Sequence, residues 1–385
     1  MTGTLDVSVN SLDFARETVC QTGLRLQQEG LVARTWGNLS VRVNGEHFVI
    51  SPSGFFYEQT RPEHVPLVSI TDLSWQGGEK PSSEKGLHAA VYRRYPDIGA
   101  IVHTHQSAAS AVASARRSIG ENIPCAVYAL PTTKKLARHA VAAMKKAPVH
   151  GNGWRRILLA NHGAVCAAQT MADAVAAAID LEGEAEAYVA REYTSRLNRK
   201  QIQLSDTMVM AYEYAKLEHT KRKARAKLPC RQFSRFNAAF APDFVREVFE
   251  RRKDVNHMVL SRLPFTLAFS FADIPLKPLL DDMAQIVGTF AGCIDDLGAA
   301  NTREPGSRNA VFVRDNGALC MGFNEVDSGA VQMVLEKSCR SHIASALLGG
   351  GFVIPWVERV MMRQIYKKKY SRLGSKDRQA DERRL

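Results

Sequence analysis

The chain has 385 residues, which is longer than one ordinary domain, so two domains are expected. A hydrophobic fraction of 45% and a charged fraction of 23% are typical of a soluble globular protein. The net charge of +12 is confined to Lys216–Arg235 and Arg359–Leu385, each with a net charge of +7, which leaves the rest of the chain nearly neutral. Because few aromatic residues accompany these basic residues, a solvated helix face or a disordered end explains them better than nucleic-acid binding does.

Cysteine usage and hydropathy indicate a cytoplasmic protein. The seven cysteines are scattered, odd in number and without a CxxC pair, which fits a reducing compartment better than a disulfide framework. The longest apolar run near the C-terminus, Ile343–Val357, is interrupted by three glycines and a proline, so we expect no membrane span. The segment Met1–Asn10 has no basic residue, and we expect no signal or transit peptide there.

The first predicted elements are a helix and a hairpin. Apolar residues at helical spacing predict a helix over 11–34, and Asn44-Gly45 predicts a tight turn between two strands. The loops Gly37-Asn38 and Ser53-Gly54 lie at the ends of these strands and are rich in small residues with free backbone N–H groups. Such loops can bind a phosphate, although each loop taken alone is more often a simple tight turn.

A proline, two serines and a glutamate precede the next predicted helix, over 85–95. The ordinary interpretation of Pro81-Ser82-Ser83-Glu84 is an N-terminal cap. The same geometry directs hydroxyl and amide donors towards an anion at the positive end of the helix dipole. Glu84 is the ionisable group at this position, and we interpret His88, one helical turn later, as structural.

A buried strand then leads into two histidines. Ala100-Ile101-Val102 suit a buried strand, and His103 and His105 follow with one residue between them. Because residues i and i+2 of a strand point to the same face, these imidazoles would project side by side. Two imidazoles at this spacing form half of a metal site, although such a pair at a strand end is more often a polar surface feature.

A third histidine ends another apolar strand. Helices are predicted over 107–116, 133–146 and 171–193, and short strands over 123–128 and 156–160. This alternation of strands and helices indicates the α/β class. The strand over 156–160 leads into Asn161-His162-Gly163. Three histidines with an open fourth position form the ligand set of a catalytic Zn²⁺ site, and His103, His105 and His162 supply that set.

Five motifs in this order resemble the class II aldolase/adducin family over about residues 12–193. They are Gly37-Asn38-x-Ser40, Ser51-Pro52-Ser53-Gly54, Pro81-Ser82-Ser83-Glu84, His103-Thr104-His105 and Asn161-His162-Gly163. The resemblance implies an α/β/α sandwich with a central, largely antiparallel sheet. It also implies assembly as a homo-oligomer, usually a tetramer.

The resemblance further assigns roles to individual residues. By this likeness His103, His105 and His162 would bind Zn²⁺ or another divalent metal, and Glu84 would be the acid/base. The substrate phosphate would be held by Asn38, Ser53, Gly54, Ser82 and Ser83. The implied activity is retro-aldol cleavage of a sugar phosphate to dihydroxyacetone phosphate and an aldehyde, through an enediolate. The alternatives are an epimerase or dehydratase of the same family, and a non-catalytic adducin-like interaction module.

The chain departs from the family pattern after the His-x-His helix. Family aldolases usually carry a longer segment there, with a proline-led helix and a tyrosine that assists at a neighbouring active site. Here 118–122 runs almost directly into Ile123-Pro124. The sequence therefore assigns the role of that tyrosine to no residue, and Tyr128 in the next strand is a poor substitute.

The second half of the chain resembles the first. Residues 244–255 resemble 87–98, and residues 311–320 resemble 157–166. We expect a metal-binding domain at 1–195, a basic helical linker at 196–235, a partial degenerate repeat of the same fold at 236–370 and a basic tail at 371–385. In this repeat the four site positions Glu84, His103, His105 and His162 correspond to Ala241, Leu260, Arg262 and Asn316.

The repeat retains a segment that the first half lacks. Ile274–Gln285 resembles the proline-led helix of the family. This reciprocal loss suggests the hypothesis that the two halves pack as family subunits do, with the second half completing the active site of the first. The chain would then be a homo-oligomer, or a pseudo-oligomer through its own repeat.

Overall fold

The structure is a computed structural model that describes residues 9–32, 36–150, 153–203, 206–223, 231–298 and 304–381. Within these ranges the side chains of 9–11, 221–223 and 369–381 are not described. The chain divides into two compact units, Met1–Glu192 and Tyr193–Leu385. None of the described helices is long and apolar enough to cross a membrane.

The first unit is an eight-stranded sheet with helices. In chain order its elements are α1 (Val9–Gln28), β1 (Asn38–Arg42), β2 (His47–Ile50), two 3-10 turns (Tyr57–Gln59 and Pro62–His64), β3 (Leu67–Ser69), β4 (Trp75–Gln76), α2 (Lys85–Arg94), β5 (Ala100–Thr104), α3 (Ser107–Ser114), β6 (Cys125–Ala126), α4 (Lys134–Lys146), β7 (Arg155–Leu159), β8 (Gly163–Ala168) and α5 (Met171–Asn198). The strand order is β4-β3-β2-β1-β5-β8-β7-β6, and every neighbouring pair is antiparallel except β6 and β7.

Burial explains why β5 begins with three apolar residues, Ala100, Ile101 and Val102. All five of its residues and all six of β8 are buried, because these central strands are covered on both faces. Side chains of α2 and α4 pack with the sheet in one hydrophobic core that includes Tyr92, Ile101 and Leu136. The register places Asn38 of β1 and Val165 of β8 on either side of His103. The polar residues Asn38 and His103, from different strands, are therefore neighbours at the end of this core.

These elements confirm the predicted α/β class and the central, largely antiparallel sheet. Several predicted boundaries were wrong by a few residues. The first helix ends at Gln28, because Gly30 adopts a positive φ of 71° that terminates it. The last helix of the unit continues to Asn198 instead of ending at residue 193.

The second unit contains a five-stranded sheet. Its elements are α6 (Thr207–Lys223), β9 (Arg231–Ser234), a 3-10 segment (Arg235–Phe240), α7 (Asp243–Arg251), β10 (His257–Ser261), α8 (Pro264–Ser270), a π-helical turn (Met283–Val287), β11 (Gly292–Ile294), β12 (Ala310–Val313), β13 (Gly317–Gly322), α9 (Glu325–Leu347) and α10 (Trp356–Asp381). The order is β11-β12-β13-β10-β9, with β11 and β12 parallel and the other pairs antiparallel. The strands β6-β7-β8-β5-β1 of the first unit have the same order and the same relative directions.

Each unit also contains an equivalent set of hydrogen bonds made by one arginine. In each unit an arginine at or just after the end of one strand, β1 or β9, donates to three backbone carbonyls around the end of one helix, α2 or α7. The acceptors are Tyr92, Tyr95 and Ile98 for Arg42, and Phe249, Arg252 and Val255 for Arg235. The three acceptors are three residues apart in both units. In each unit, therefore, an arginine fixes the end of a helix to the sheet through the same set of hydrogen bonds.

Two expectations for the second half differ from the structure. The segment 196–235, expected to be a basic helical linker, contains the helix α6, but Val209, Ala211 and Ala215 of α6 are buried and the helix packs against α8 and α9. The segment is basic overall but contains enough apolar residues to bury one face of α6, which explains why it packs against its neighbours. The predicted proline-led helix is helical only at its end, in the turn Met283–Val287. Helix α10 covers most of the expected tail, and residues 382–385 lie outside the described residues.

Candidate metal centre

His103 and His105 lie at the end of β5, with their imidazoles on the same side as the strand period predicts. Their Nε2 atoms are 3.1 Å apart. His103 is completely buried, and its Nδ1 donates a hydrogen bond of 2.8 Å to the carbonyl of Ala164 in the adjacent strand β8. That bond fixes the ring and leaves the Nε2 lone pair directed towards His105 and Glu84, as in metal-ligating histidines.

His162 reaches the same place from the turn between β7 and β8. Its ring stacks on that of His103, with centroids 4.8 Å apart and an interplanar angle of 10°. Asn161 starts this turn with a φ of 60°, a conformation that asparagine tolerates better than most residues. Gly163 follows because a Cβ atom there would lie 2.2 Å from the carbonyl oxygen of Thr104. The Asn-His-Gly sequence therefore makes a turn tight enough to bring His162 onto β5.

Glu84 approaches the three histidines from the start of α2. It is the N-terminal cap residue of this helix, but its side chain makes no capping hydrogen bond. Its carboxylate oxygens instead lie 3.1 Å from Nε2 of His103 and 3.1 Å from Nε2 of His162. The hydroxyl of Ser82 accepts a hydrogen bond from the Glu84 amide, so a serine of the predicted motif anchors the backbone here.

The four side chains Glu84, His103, His105 and His162 present donor atoms that all lie within 4.8 Å of one another. Donors around a tetrahedral Zn²⁺ are about 3.4 Å apart, given metal–nitrogen bonds of about 2.1 Å. The separations of 3.1 Å in this group are close to that value, and three imidazoles with a carboxylate form a donor set for a divalent transition metal. Among the described residues this is the only such group with three or more potential ligands.

The electrostatics of the group keep Glu84 ionised. Burial alone would raise the pKa of this carboxyl group, but the facing imidazoles of His103 and His162 outweigh burial and hold the pKa well below its usual range. The site therefore contains a carboxylate that can accept a proton.

A chain of buried polar residues lies behind Glu84. The Nδ2 atom of Asn38 donates to Glu84 Oε2 over 2.9 Å, and Asn38 Oδ1 lies 2.6 Å from His88 Nε2. His88 Nδ1 is 2.7 Å from the hydroxyl of Ser40, which lies 2.8 Å from the hydroxyl of Tyr92. The sequence alone indicates a structural role for His88 and does not reveal this connection to Glu84. The signal was its spacing of one helical turn from Glu84.

The structure brings the predicted phosphate loops together. The loop around Ser53 pairs with the loop before Glu84, since the Ser53 amide donates to the Lys80 carbonyl and the Ser82 amide to that of Ser51. The Ser51 hydroxyl accepts from the amide of Leu39, next to the Gly37-Asn38 turn. Gly54 has a φ of 85°, Ser83 is exposed and Ser53 is half-buried. Asn38 differs from the other four predicted phosphate residues, because its amide group faces Glu84 and His88.

The corresponding positions of the second unit are built differently. Arg262 donates through its guanidinium to the side-chain oxygen of Asn316, with Nε 2.9 Å from Oδ1. These two residues correspond to His105 and His162. A fixed cation thus lies where the first unit presents two candidate metal ligands.

Comparison with known proteins identifies the first half. Residues 17–189 match the family model of the class II aldolase and adducin N-terminal domain. A 5-deoxy-D-ribulose 1-phosphate aldolase of Bacillus thuringiensis is 34% identical over 188 residues, which cover 46% of this chain and 85% of the relative. A probable L-ribulose-5-phosphate 4-epimerase of Mycoplasma pneumoniae is 42% identical over 112 residues, which cover 29% of this chain and 45% of the relative. A solved L-fuculose 1-phosphate aldolase is 26% identical with a TM-score of 0.41, covering 55% of this chain and 96% of that one.

Proposed function

Because this chain belongs to the class II aldolase and adducin family, we propose that it is a metal-dependent lyase that cleaves a phosphorylated ketose by a retro-aldol reaction. The observation that supports this most strongly is the convergence of Glu84 with His103, His105 and His162 within 4.8 Å. The products would be dihydroxyacetone phosphate and an aldehyde. The relatives that act on 1-phosphorylated ketoses support this substrate class.

The residues have the properties that this reaction requires. Cleavage breaks the bond between C3 and C4 of the ketose and leaves its electron pair on the dihydroxyacetone phosphate part as an enediolate. A Zn²⁺ or similar cation held by His103, His105 and His162 would supply Lewis-acid stabilisation of that negative charge. The proton released from the C4 hydroxyl as the aldehyde forms would pass to Glu84, which would return it to C3 and complete dihydroxyacetone phosphate. In the condensation direction the same carboxylate, ionised because its pKa is low, would remove that proton.

The paired loops in front of α2 are suited to the substrate phosphate. Ser53, Gly54, Ser82 and Ser83 offer hydroxyl and amide donors beside the positive end of a ten-residue helix. We propose that these residues, with the Gly37-Asn38 turn, bind the phosphate. Fixing the remote phosphate would position the reacting carbons next to Glu84.

We propose that the second unit is a degenerate copy of the first and binds no catalytic metal. The shared strand order and the equivalent contacts of Arg42 and Arg235 support common ancestry of the two folds. The Arg262–Asn316 contact supports the loss of its metal site. Oligomerisation, either of whole chains or through this copy, remains part of the proposal, and light scattering of the purified chain tests it.

A hydrogen-exchange experiment tests the lyase proposal without knowledge of the aldehyde. The metal-loaded chain is incubated with dihydroxyacetone phosphate in D₂O, and NMR follows deuterium entering its hydroxymethyl carbon. We expect exchange that depends on the metal, because proton removal at that carbon is half of the condensation reaction. An epimerase is the second candidate, favoured by the Mycoplasma relative. Conversion of L-ribulose 5-phosphate without exchange into dihydroxyacetone phosphate would support the epimerase instead.

A further inference from the structure

We propose that His88, acting through Asn38, is a positioning residue for Glu84, an inference that rests on the proposed lyase function. His88 lies on α2 and Asn38 on β1, and both are buried. Ser40 and Tyr92, which follow them in the row of hydrogen bonds, are also buried. The contacts among these residues fix one hydrogen-bond direction that ends on the Glu84 carboxylate.

The direction follows from the chemistry of each group. The Oδ1 atom of Asn38 can only accept, because its Nδ2 atom donates to Glu84, so His88 must carry its proton on Nε2. The Nδ1 atom of a neutral imidazole is then an acceptor, and the Ser40 hydroxyl must donate to it. That leaves the Ser40 oxygen to accept from Tyr92. Every donor points towards Glu84, and hydrogen bonds aligned in this way strengthen one another in a buried site.

The hydrogen-bonded residues Tyr92, Ser40, His88 and Asn38 orient Glu84 and do not conduct protons to it. An amide side chain does not readily pass a proton from one end to the other, so Asn38 interrupts any relay between His88 and Glu84. Burial lowers the pKa of His88 to about 3, so the imidazole stays neutral at ordinary pH. A neutral imidazole with its proton on Nε2 holds the Asn38 amide with its NH₂ group towards the carboxylate.

The second unit provides an internal comparison. The register aligns Asn38 and Ser40 opposite His103 and Ile101, and it aligns Arg231 and Phe233 opposite Leu260 and Met258 in the same way. The carbonyls that accept from the two arginines align Tyr92 with Phe249. All five members of the chain, Tyr92, Ser40, His88, Asn38 and Glu84, are thereby replaced, by Phe249, Phe233, Val245, Arg231 and Ala241.

The replacement of these five residues shows which of them the fold requires. The second unit keeps the strand order and the arginine contact of the first, although apolar side chains such as Phe233, Val245 and Phe249 fill the positions of its polar chain. The fold therefore does not require these hydrogen bonds. They occur in the unit that has the metal-binding group and are missing, with that group, from the described part of the other unit. A role at the reacting carboxylate explains why they are retained.

A matched pair of substitutions tests the inference in the full, metal-loaded chain. In His88→Gln the side-chain amide nitrogen can replace Nε2 and donate to Asn38, whereas the shorter side chain of His88→Asn reaches only towards Ser40. We expect His88→Asn to slow deuterium exchange into saturating dihydroxyacetone phosphate by about tenfold to a hundredfold, a part of the usual effect of general acid–base catalysis. We expect KM and metal content to change little, and His88→Gln to retain most of the exchange rate.

A second pair controls for the loss of a buried hydroxyl. Tyr92→Phe removes the first donor of the chain, while Tyr95→Phe removes a hydroxyl outside it near the end of the same helix. We expect a small decrease in exchange for Tyr92→Phe and none for Tyr95→Phe. Equal exchange rates in His88→Asn, His88→Gln and the unsubstituted chain would overturn the inference alone. Absence of exchange in the metal-loaded unsubstituted chain would overturn the proposed function and the inference with it.

Discussion

Glu84 Oε2 lies 3.1 Å from His103 Nε2, although one residue starts a helix and the other ends a strand. Both side chains are largely withdrawn from water. An ionised carboxylate in such a place is stable only when positive charge or hydrogen-bond donors face it. Here the amide of Asn38 donates to the carboxylate, and a metal ion held by the group would add positive charge at the same point.

The first prediction concerns metal content. The purified chain should bind about one divalent ion, held by three histidines of the first unit, because a catalytic site of this type has three protein imidazoles. His103→Ala should remove it, since the remaining ligands then lack the buried, oriented imidazole. His139→Ala, on α4 outside the cluster, is the control and should keep its ion. Elemental analysis of the three proteins is the measurement, and two ions per chain would contradict our account of the second unit.

The second prediction concerns pH and stability. His88 has a pKa of about 3 in the folded chain, while an unfolded histidine titrates near pH 6.5. Between these values the unfolded chain binds a proton that the folded chain refuses, so stability is lost as the pH falls from about 6.5 towards 3. For this group the loss approaches about 1.4 kcal/mol per pH unit well inside that window.

Urea denaturation of the metal-free chain and of His88→Gln at several pH values between 4 and 8 measures this effect. The difference in unfolding free energy should change in favour of His88→Gln as the pH falls, because glutamine does not titrate. A difference that is constant over the whole range would show that His88 is accessible to protons in the folded state.

The third prediction concerns the turn that presents His162. Gly163→Ala should destabilise the chain by about 1–3 kcal/mol, as overpacking does, because the new Cβ would lie 2.2 Å from the Thr104 carbonyl. Gly183→Ala is the matched control on helix α5, where a new methyl group would have nothing within 4 Å of it. That control should stabilise the chain by up to about 1 kcal/mol through helix propensity. Thermal denaturation that ranks the two variants in the opposite order would contradict the packing described for this turn.

Some parts of the site were predictable from local sequence. The i and i+2 spacing of His103 and His105 is sufficient to place both imidazoles on one side of β5, since a strand has a period of two. The prediction that His162 joins them required a long-range contact between two strand ends. The spacing of residues does not specify such a contact. It was inferred because His162, like His103 and His105, ends an apolar strand, and the family resemblance implied the same ligand set.

The role of Asn38 shows what local sequence leaves open. The Gly-Asn motif suggested a phosphate loop, but the side-chain direction depends on the register of β1 against β5, which places Asn38 beside His103. A shift of one residue would turn that amide to the other face of the sheet. The burial of α6 was hidden for a related reason. Its apolar residues, such as Val209 and Ala215, are interspersed with charged ones, and their burial depends on the contacts of α6 with α8 and α9, which local sequence does not specify.

The central claim is that this chain removes a proton from a phosphorylated ketone with Glu84 beside a bound metal. The most direct measurement is deuterium exchange into dihydroxyacetone phosphate by the metal-loaded chain and by Glu84→Gln, with the exposed Glu79→Gln as control. We predict exchange in the unsubstituted chain and in the control, and a loss of about 10²–10⁴-fold in Glu84→Gln with its metal retained. Undiminished exchange in Glu84→Gln would contradict the role of this carboxylate.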